Sequence, residues 1–197
     1  AAAQTKVRFA VEIAADVEPG KANQAFIKRV ADKTGGRIRI DYFPNGSLYR
    51  GGDVLQALLR GDLEIGMLYS AFWTGVAPKA AILELPYAFP THESFYRASS
   101  DREFMGSLYG DAEAKGVKVL GYLPYDYLMP GAKRPLVNPA DFNGLKMRGV
   151  GRANTASLAA LGATAVPVNV TEVSTALQQG VIDGLNSLAD AFVSYRW

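Results

Sequence analysis

The strongest constraint on the fold is a switch of hydrophobic period, from two to about 3.6 and back, repeated along the chain. Lys6 to Ile13 alternates, with Val7, Phe9, Val11 and Ile13 on one face, which predicts a strand. From Gly20 to Lys33, Ala22, Phe26, Val30 and Lys33 fall near helical spacing beside Ile27 and Ala31, and Thr34-Gly35-Gly36 stops the helix. Arg37 to Phe43 alternates again, with Ile38, Ile40 and Tyr42 on one side, and Pro44-Asn45-Gly46 turns the chain. Asp53 with Gln56 resembles a capping box opening a helix that carries Val54, Leu55, Leu58 and Leu59. Gly61-Asp62 ends that helix, and Leu63 to Met67 gives a third strand. Strands separated by helices have room for the crossovers that parallel pairing needs, so this order predicts an open parallel α/β sheet.

Downstream, Trp73 to Ala88 loses periodicity and contains Pro78 and Pro86, which predicts a loop. Glu93 to Ala114 reads as helix with Thr91 as its N-cap, and Val117 to Leu123 as strand. Pro124 to Gly131 is aromatic and punctuated by proline, as a crossing between two units would be. A second alternation follows: strand Leu145 to Arg148, helix Ala153 to Leu161, strand Thr164 to Pro167, helix Thr171 to Gln178 capped by Thr171, and strand Val181 to Asp183. The expectation is two α/β units, the first over residues 1–123 and the second over 124–197.

Composition narrows the function. Twenty-one basic against 19 acidic residues leave a net charge of +2, too little for a surface that tracks phosphates, so nucleic acid is a poor partner. Hydrophobic residues at 49% exclude a disordered chain. No apolar run reaches the roughly 18 residues that span a bilayer. The absence of Cys removes thiolate metal sites, iron–sulfur clusters and thiol nucleophiles together. The single histidine, His92, follows Thr91 and reads as a surface residue in a helix's first turn. There is no G-x-S-x-G, H-E-x-x-H or Walker A sequence. Gly149-Val150-Gly151-Arg152-Ala153-Asn154 departs from a dinucleotide fingerprint at Asn154 and lies far from the first strand, so it reads as a loop. No catalytic residue, metal or cofactor is expected. Ala1-Ala2-Ala3-Gln4 resembles the small-residue stretch at a signal-peptidase cut.

Four stretches together resemble one family: Tyr42-Phe43-Pro44-Asn45-Gly46-Ser47-Leu48, Leu59-Arg60-Gly61-Asp62-Leu63-Glu64-Ile65-Gly66, Asn143-Gly144-Leu145-Lys146-Met147-Arg148, and Glu172-Val173-Ser174-Thr175-Ala176-Leu177-Gln178-Gln179-Gly180-Val181-Ile182-Asp183-Gly184. In this order and spacing they look like the extracytoplasmic solute-binding proteins of TRAP transporters, the DctP-like family. The resemblance implies a two-lobed periplasmic-binding-protein-like α/β fold with open, mostly parallel sheets flanked by helices. It also implies a periplasmic protein that closes its cleft on an organic acid and delivers it to the subunits of a membrane permease, without turnover. Members continue beyond the point matching Trp197, so the sequence resembles the N-terminal two-thirds of one, with the C-terminal part missing.

The family's principal ligand residue is the arginine ending G-L-K-x-R, which matches Arg148. Chemistry points the same way: ligands of open α/β sheets lie beyond the carboxyl ends of strands, and a guanidinium grips a carboxylate by two parallel hydrogen bonds. Other cleft positions depart from the sialic-acid-binding members. Their second arginine aligns with Tyr127, an acidic residue with Tyr69, an aromatic with Val170, and one asparagine with Ser187, beside Asn186. Their first-strand asparagine falls near Glu12. One arginine fewer and more tyrosines suggest a monocarboxylate with an apolar or aromatic body, walled by Tyr69, Trp73, Tyr125 and Tyr127. Two other classes stay open: a ligand-sensing domain of a receptor, and an α/β enzyme working through carboxylates.

Overall fold

The structure is a computed structural model describing residues 4–197, so the Ala1–Ala3 part of the signal-like stretch lies outside the described residues. Strand β1 (Thr5–Val11) forms the middle of a first sheet, and its Ala10 and Val11 are fully buried. Strands β2 (Ile38–Phe43) and β3 (Ile65–Met67) flank it, both parallel to it, in the order β2-β1-β3. The crossovers are α1 (Glu18–Thr34) and α2 (Gly52–Arg60). Helix α1 stops where the sequence requires: Gly35 takes the left-handed conformation at φ +57°, and its N–H reaches the carbonyls of Ala31 and Asp32. The expected capping box of α2 is not formed. The chain enters that helix through Gly51 at φ +48°, and Asp53 sits inside the first turn, where its charge complements the helix dipole.

The segment predicted as a loop is wound into two 3₁₀ helices, Ser70–Gly75 and Pro78–Glu84. The reason is burial. Trp73, Val76, Ala77 and Ala80 pack against Met105, Leu108, Tyr109 and Ala112 in one core cluster, and buried backbone must satisfy its own hydrogen bonds. The single helix expected from Glu93 to Ala114 is two, α3 (His92–Ser100) and α4 (Arg102–Glu113). Asp101 divides them because its carboxylate accepts from the N–H groups of Glu103 and Phe104, which makes it the cap of α4. Thr91 caps α3 as expected, in a reciprocal box with Ser94.

Val117 to Leu123 is not a strand. Val117 is buried in the first core, but Leu120 is 68% exposed, and the segment joins no ladder. The chain enters a second sheet instead at β4 (Leu128–Ala132), inside the stretch read as a crossing. Pro130 is tolerated there because β4 is an edge strand. The order is β4-β7-β5-β6, with β5 (Lys146–Arg148), β6 (Thr164–Val166) and β7 (Gly184–Leu188) mutually parallel and β4 antiparallel to β7. The last strand begins three residues later than the expected Val181. Ile182 is fully buried in the turn before it, and at Gly184 an added Cβ would lie 2.4 Å from the Gly131 carbonyl oxygen. Helix α5 (Gly151–Ala160) links β5 to β6, α6 (Val173–Gln178) links β6 to β7, and α7 (Ala189–Ser194) follows β7. Thr171 lies inside a 3₁₀ turn before α6 rather than capping it. The α/β class with helices flanking mostly parallel sheets is as the sequence predicts.

The two sheets' elements meet closely. Gly151, at φ +75°, opens α5 against the first 3₁₀ helix, where a Cβ would lie 2.5 Å from that of Ala71. Arg50 pairs with Glu172 at 3.4 Å, and the Ala14 N–H donates to the Tyr195 hydroxyl at 3.5 Å.

Candidate functional site

Parallel strands bring their carboxyl ends to a common edge. Glu12 follows β1, Tyr69 lies two residues beyond β3, and Arg148 ends β5. Arg148 is opposite Val166 on β6 and Leu185 on β7, so it shares their face of the second sheet. It is 6% exposed, and its Nε–H donates to the Val168 carbonyl at 2.7 Å. That bond fixes the guanidinium while engaging one of its five N–H groups. Burial lowers the Arg148 pKa, and Tyr69, Glu12 and Tyr195 act in the opposite direction. The same groups recur around the others. Glu12 is 7% exposed; its burial raises its pKa, against hydrogen bonding from the backbone of Val170 and Gly51 and the attraction of Arg148. Burial also raises the pKa of Tyr69, with Tyr195 and Glu12 adding to the rise and Arg148 opposing it.

Glu12, Tyr69, Arg148 and Tyr195 therefore form one electrostatically coupled cluster drawn from both sheets. Glu12 and Tyr69, with Gly51 and Phe72, line a cavity of about 10 Å³, room for a single water. A separate space of about 370 Å³ lies between the 3₁₀ helices and α5, lined by Thr74, Gly75, Pro78, Arg152, Ala153 and Ala156.

The remaining candidate residues divide. Val170 is buried, and its backbone opposes the rise in the Glu12 pKa. Ser187 is buried two residues beyond Leu185, on Arg148's face of the sheet, while Asn186 points to the other face, where its buried Oδ1 has no partner. Tyr125 bonds the Asp190 carboxylate, and burial, that bond and nearby Tyr69 raise its pKa. Trp73 and Tyr127 are not brought to the cluster. Trp73 packs edge-on against Tyr109 with ring centroids 5.5 Å apart, in the first core. The Tyr127 hydroxyl donates to the Phe89 carbonyl at 3.1 Å, and its ring lies 4.5 Å from that of His92. His92 is an exposed first-turn residue whose Nε2 is 3.4 Å from Asp126.

Sequence reasoning missed Tyr195, Asp190 and Gly51. Asp190 lies in a six-residue helix and Tyr195 is its C-cap, a stretch too short to show a hydrophobic period, and the path of β7 sets where both residues fall. Gly51 had a readable signal, the pair Gly51-Gly52 before an apolar helix. Among the described residues no group of three or more His, Cys, Asp or Glu is placed to hold a metal ion, and no helix is long and apolar enough to cross a membrane.

The family described as DctP, bacterial extracellular solute-binding protein family 7, matches residues 9–194. A "Solute-binding protein" of Verminephrobacter eiseniae is 30% identical over 199 residues, covering 100% of this chain and 59% of the relative. A "C4-dicarboxylate-binding periplasmic protein DctP" of Rhodobacter capsulatus is 30% identical over 180 residues, 90% of this chain and 54% of the relative. Among solved structures, a TRAP periplasmic solute-binding protein of Sulfurospirillum deleyianum with bound succinate superposes with a TM-score of 0.91 at 27% identity, covering 98% of this chain and 63% of its own. The chain thus spans somewhat over half the length of these relatives.

Proposed function

This chain belongs to the DctP family, bacterial extracellular solute-binding protein family 7, and from that premise we propose that it captures an organic acid in the periplasm and hands it to a TRAP-type membrane permease. The observation that carries the reading is Arg148: a buried cation at the carboxyl end of a parallel strand, facing groups from the other sheet. A guanidinium tied at Nε keeps both terminal nitrogens for a carboxylate, which they grip in a plane. Names among the relatives and neighbours agree in chemistry, from C4-dicarboxylates to bound succinate and L-malate.

In this reading residues 1–123 and 124–197 contribute to two lobes, and bending near Leu123 to Tyr127 closes them. Ligand favours the closed form by binding it better than the open one, and the permease recognises that form. Arg148 holds the carboxylate, Glu12, Tyr69, Ser187 and the backbone at Val170 surround it, and no bond is made or broken. A thermal-shift screen over carboxylic acids tests the proposal. An acid at about 100 times its Kd adds roughly 2.7 kcal/mol to native stability. Stabilisation by one or more acids is expected, and a folded protein that no acid stabilises would overturn the reading.

A further inference from the structure

We infer that Arg50 and Glu172 form a latch across the two units, an ion pair that holds them together on the side away from the crossing. The inference rests on the proposed closure of residues 1–123 against residues 124–197.

Arg50 lies in the loop after β2, and Glu172 ends the 3₁₀ turn after β6. Among the described residues both strands are outer strands of their sheets. The crossing enters the second sheet at β4, the edge opposite β6 and three strands away from it. At about 4.8 Å per strand, β6 stands roughly 14 Å from β4. Bending near Leu123 to Tyr127 therefore displaces the β6 side of the unit most, and a contact there opens early. The Arg50 Nη1–H donates to the Glu172 carboxylate at 3.4 Å. Of the other ion pairs among the described residues, six stay within residues 1–123, and His92–Asp126 reaches only into the crossing itself.

An exposed ion pair ordinarily contributes little, because two long side chains must be held in one geometry. Here one of them is held already. The Arg50 stem lies over Gly46, where an added Cβ would come 2.8 Å from its Cγ, and its Nε–H donates to the Gly46 carbonyl at 3.4 Å. Gly46 is fixed in turn, its N–H donating to the Val11 carbonyl at 3.0 Å. On the other unit the Glu172 N–H donates to the Asn169 carbonyl at 2.9 Å. The two loops approach each other beside the pair: a Cβ at Gly51 would lie 3.7 Å from the Asn169 Oδ1. The side chains are 53% and 54% exposed, so dissolved salt reaches the pair and weakens it. A ligand that closes the two units then has less of the closure free energy to supply, and rising ionic strength takes that help away.

The sequence contains no Cys, so Ala25→Cys on α1 and Ala159→Cys on α5, both at exposed positions, each take one nitroxide label. Electron–electron distance measurement on the unliganded full chain then reads the ratio of short to long separations, at about 0.05 M and about 1 M NaCl. At low salt Arg50→Gln and Glu172→Gln should each shift that ratio about two- to fivefold toward the long separation. The double variant should be no worse than either single one, because both remove the same interaction. High salt should shift the wild type in the same direction and leave the variants where they are. A wild-type ratio in either single variant, or shifts that add in the double variant, overturn the latch. If a variant does not fold, the wild type's response to salt decides, and a ratio that salt leaves unchanged overturns the latch. No acid is present in this measurement, so its failure is distinct from that of the carboxylate-binding reading, which falls if no acid stabilises the protein in the thermal-shift screen.

Discussion

Replacing Arg148 by lysine separates a ligand clamp from a structural cation, and the structure sets both magnitudes. Lysine keeps the positive charge but loses the Nε–H bond to the Val168 carbonyl, a 2.7 Å contact at a residue 6% exposed. A hydrogen bond from a charged donor contributes roughly 1.5–3 kcal/mol, so stability should fall by about that amount. Binding should fall further. An ammonium cannot reproduce the planar two-point grip on a carboxylate, and breaking one side of a buried charge pair costs roughly 2–5 kcal/mol, about 30- to several-thousand-fold in Kd. The assay is titration calorimetry with the best acid from the thermal-shift screen, alongside calorimetric melting of the unliganded variant. A purely structural arginine predicts the stability loss with affinity within threefold of wild type. That result would refute the assignment of Arg148 to the ligand.

Three further outcomes are expected. Gly151→Ala should destabilise more than Gly35→Ala by denaturant melting: both sites have positive φ, worth about 1–2 kcal/mol, but the Cβ added at Gly151 would lie 2.5 Å from that of Ala71, whereas one added at Gly35 would meet nothing within 4 Å, and equal costs would count against a tight joint there. Leu158→Ala, at a residue 1% exposed in the second unit's core, should cost about 2–5 kcal/mol in the same assay, and a loss under about 1 kcal/mol would mean that core collapses around the gap. Glu64 has a pKa lowered to about 2 by hydrogen bonding from Arg8, so its stabilisation is present above its ordinary value of 4.5 and lost as pH falls through about 2; Glu64→Gln should flatten the acid limb of a stability-against-pH curve in that window, and an unchanged limb would dismiss the pair.

What could be read from the sequence follows from the range of each force. Periodicity is local, so β1, α1 and β2 emerge with their ends nearly right, and the glycine stop of α1 is placed correctly. The 3₁₀ helices from Ser70 to Glu84 are invisible locally, because what winds them is contact with α4, more than twenty residues further on. The same applies to β4. Pro130-Gly131 argues against a strand, and only the distant partner β7 makes it one. At the site, the position of Arg148 at a strand end could be read from pattern and chemistry. The grouping of Glu12, Tyr69 and Tyr195 around it could not, since it depends on how the two sheets face each other. Trp73 shows the converse. Composition offers an aromatic for either a cleft or a core, and contact with Tyr109 decides for the core.

The place of β7 in the second sheet has a consequence for the order in which the molecule assembles. Among the described residues the strands of the first sheet, β1, β2 and β3, all lie at or before Met67, so these three can pair early as a chain is synthesised from its N-terminus. Among the described residues the joining strand of the second sheet comes last: β4 pairs with β7 alone, and β7 connects it to β5 and β6. Until Gly184 to Leu188 is available, β4 is an unpaired strand and Arg148 lacks its neighbour Leu185. The second unit therefore depends on contacts of long sequence separation and should be the slower to fold. During that interval its exposed strand edges are where the nascent chain is most prone to wrong pairing.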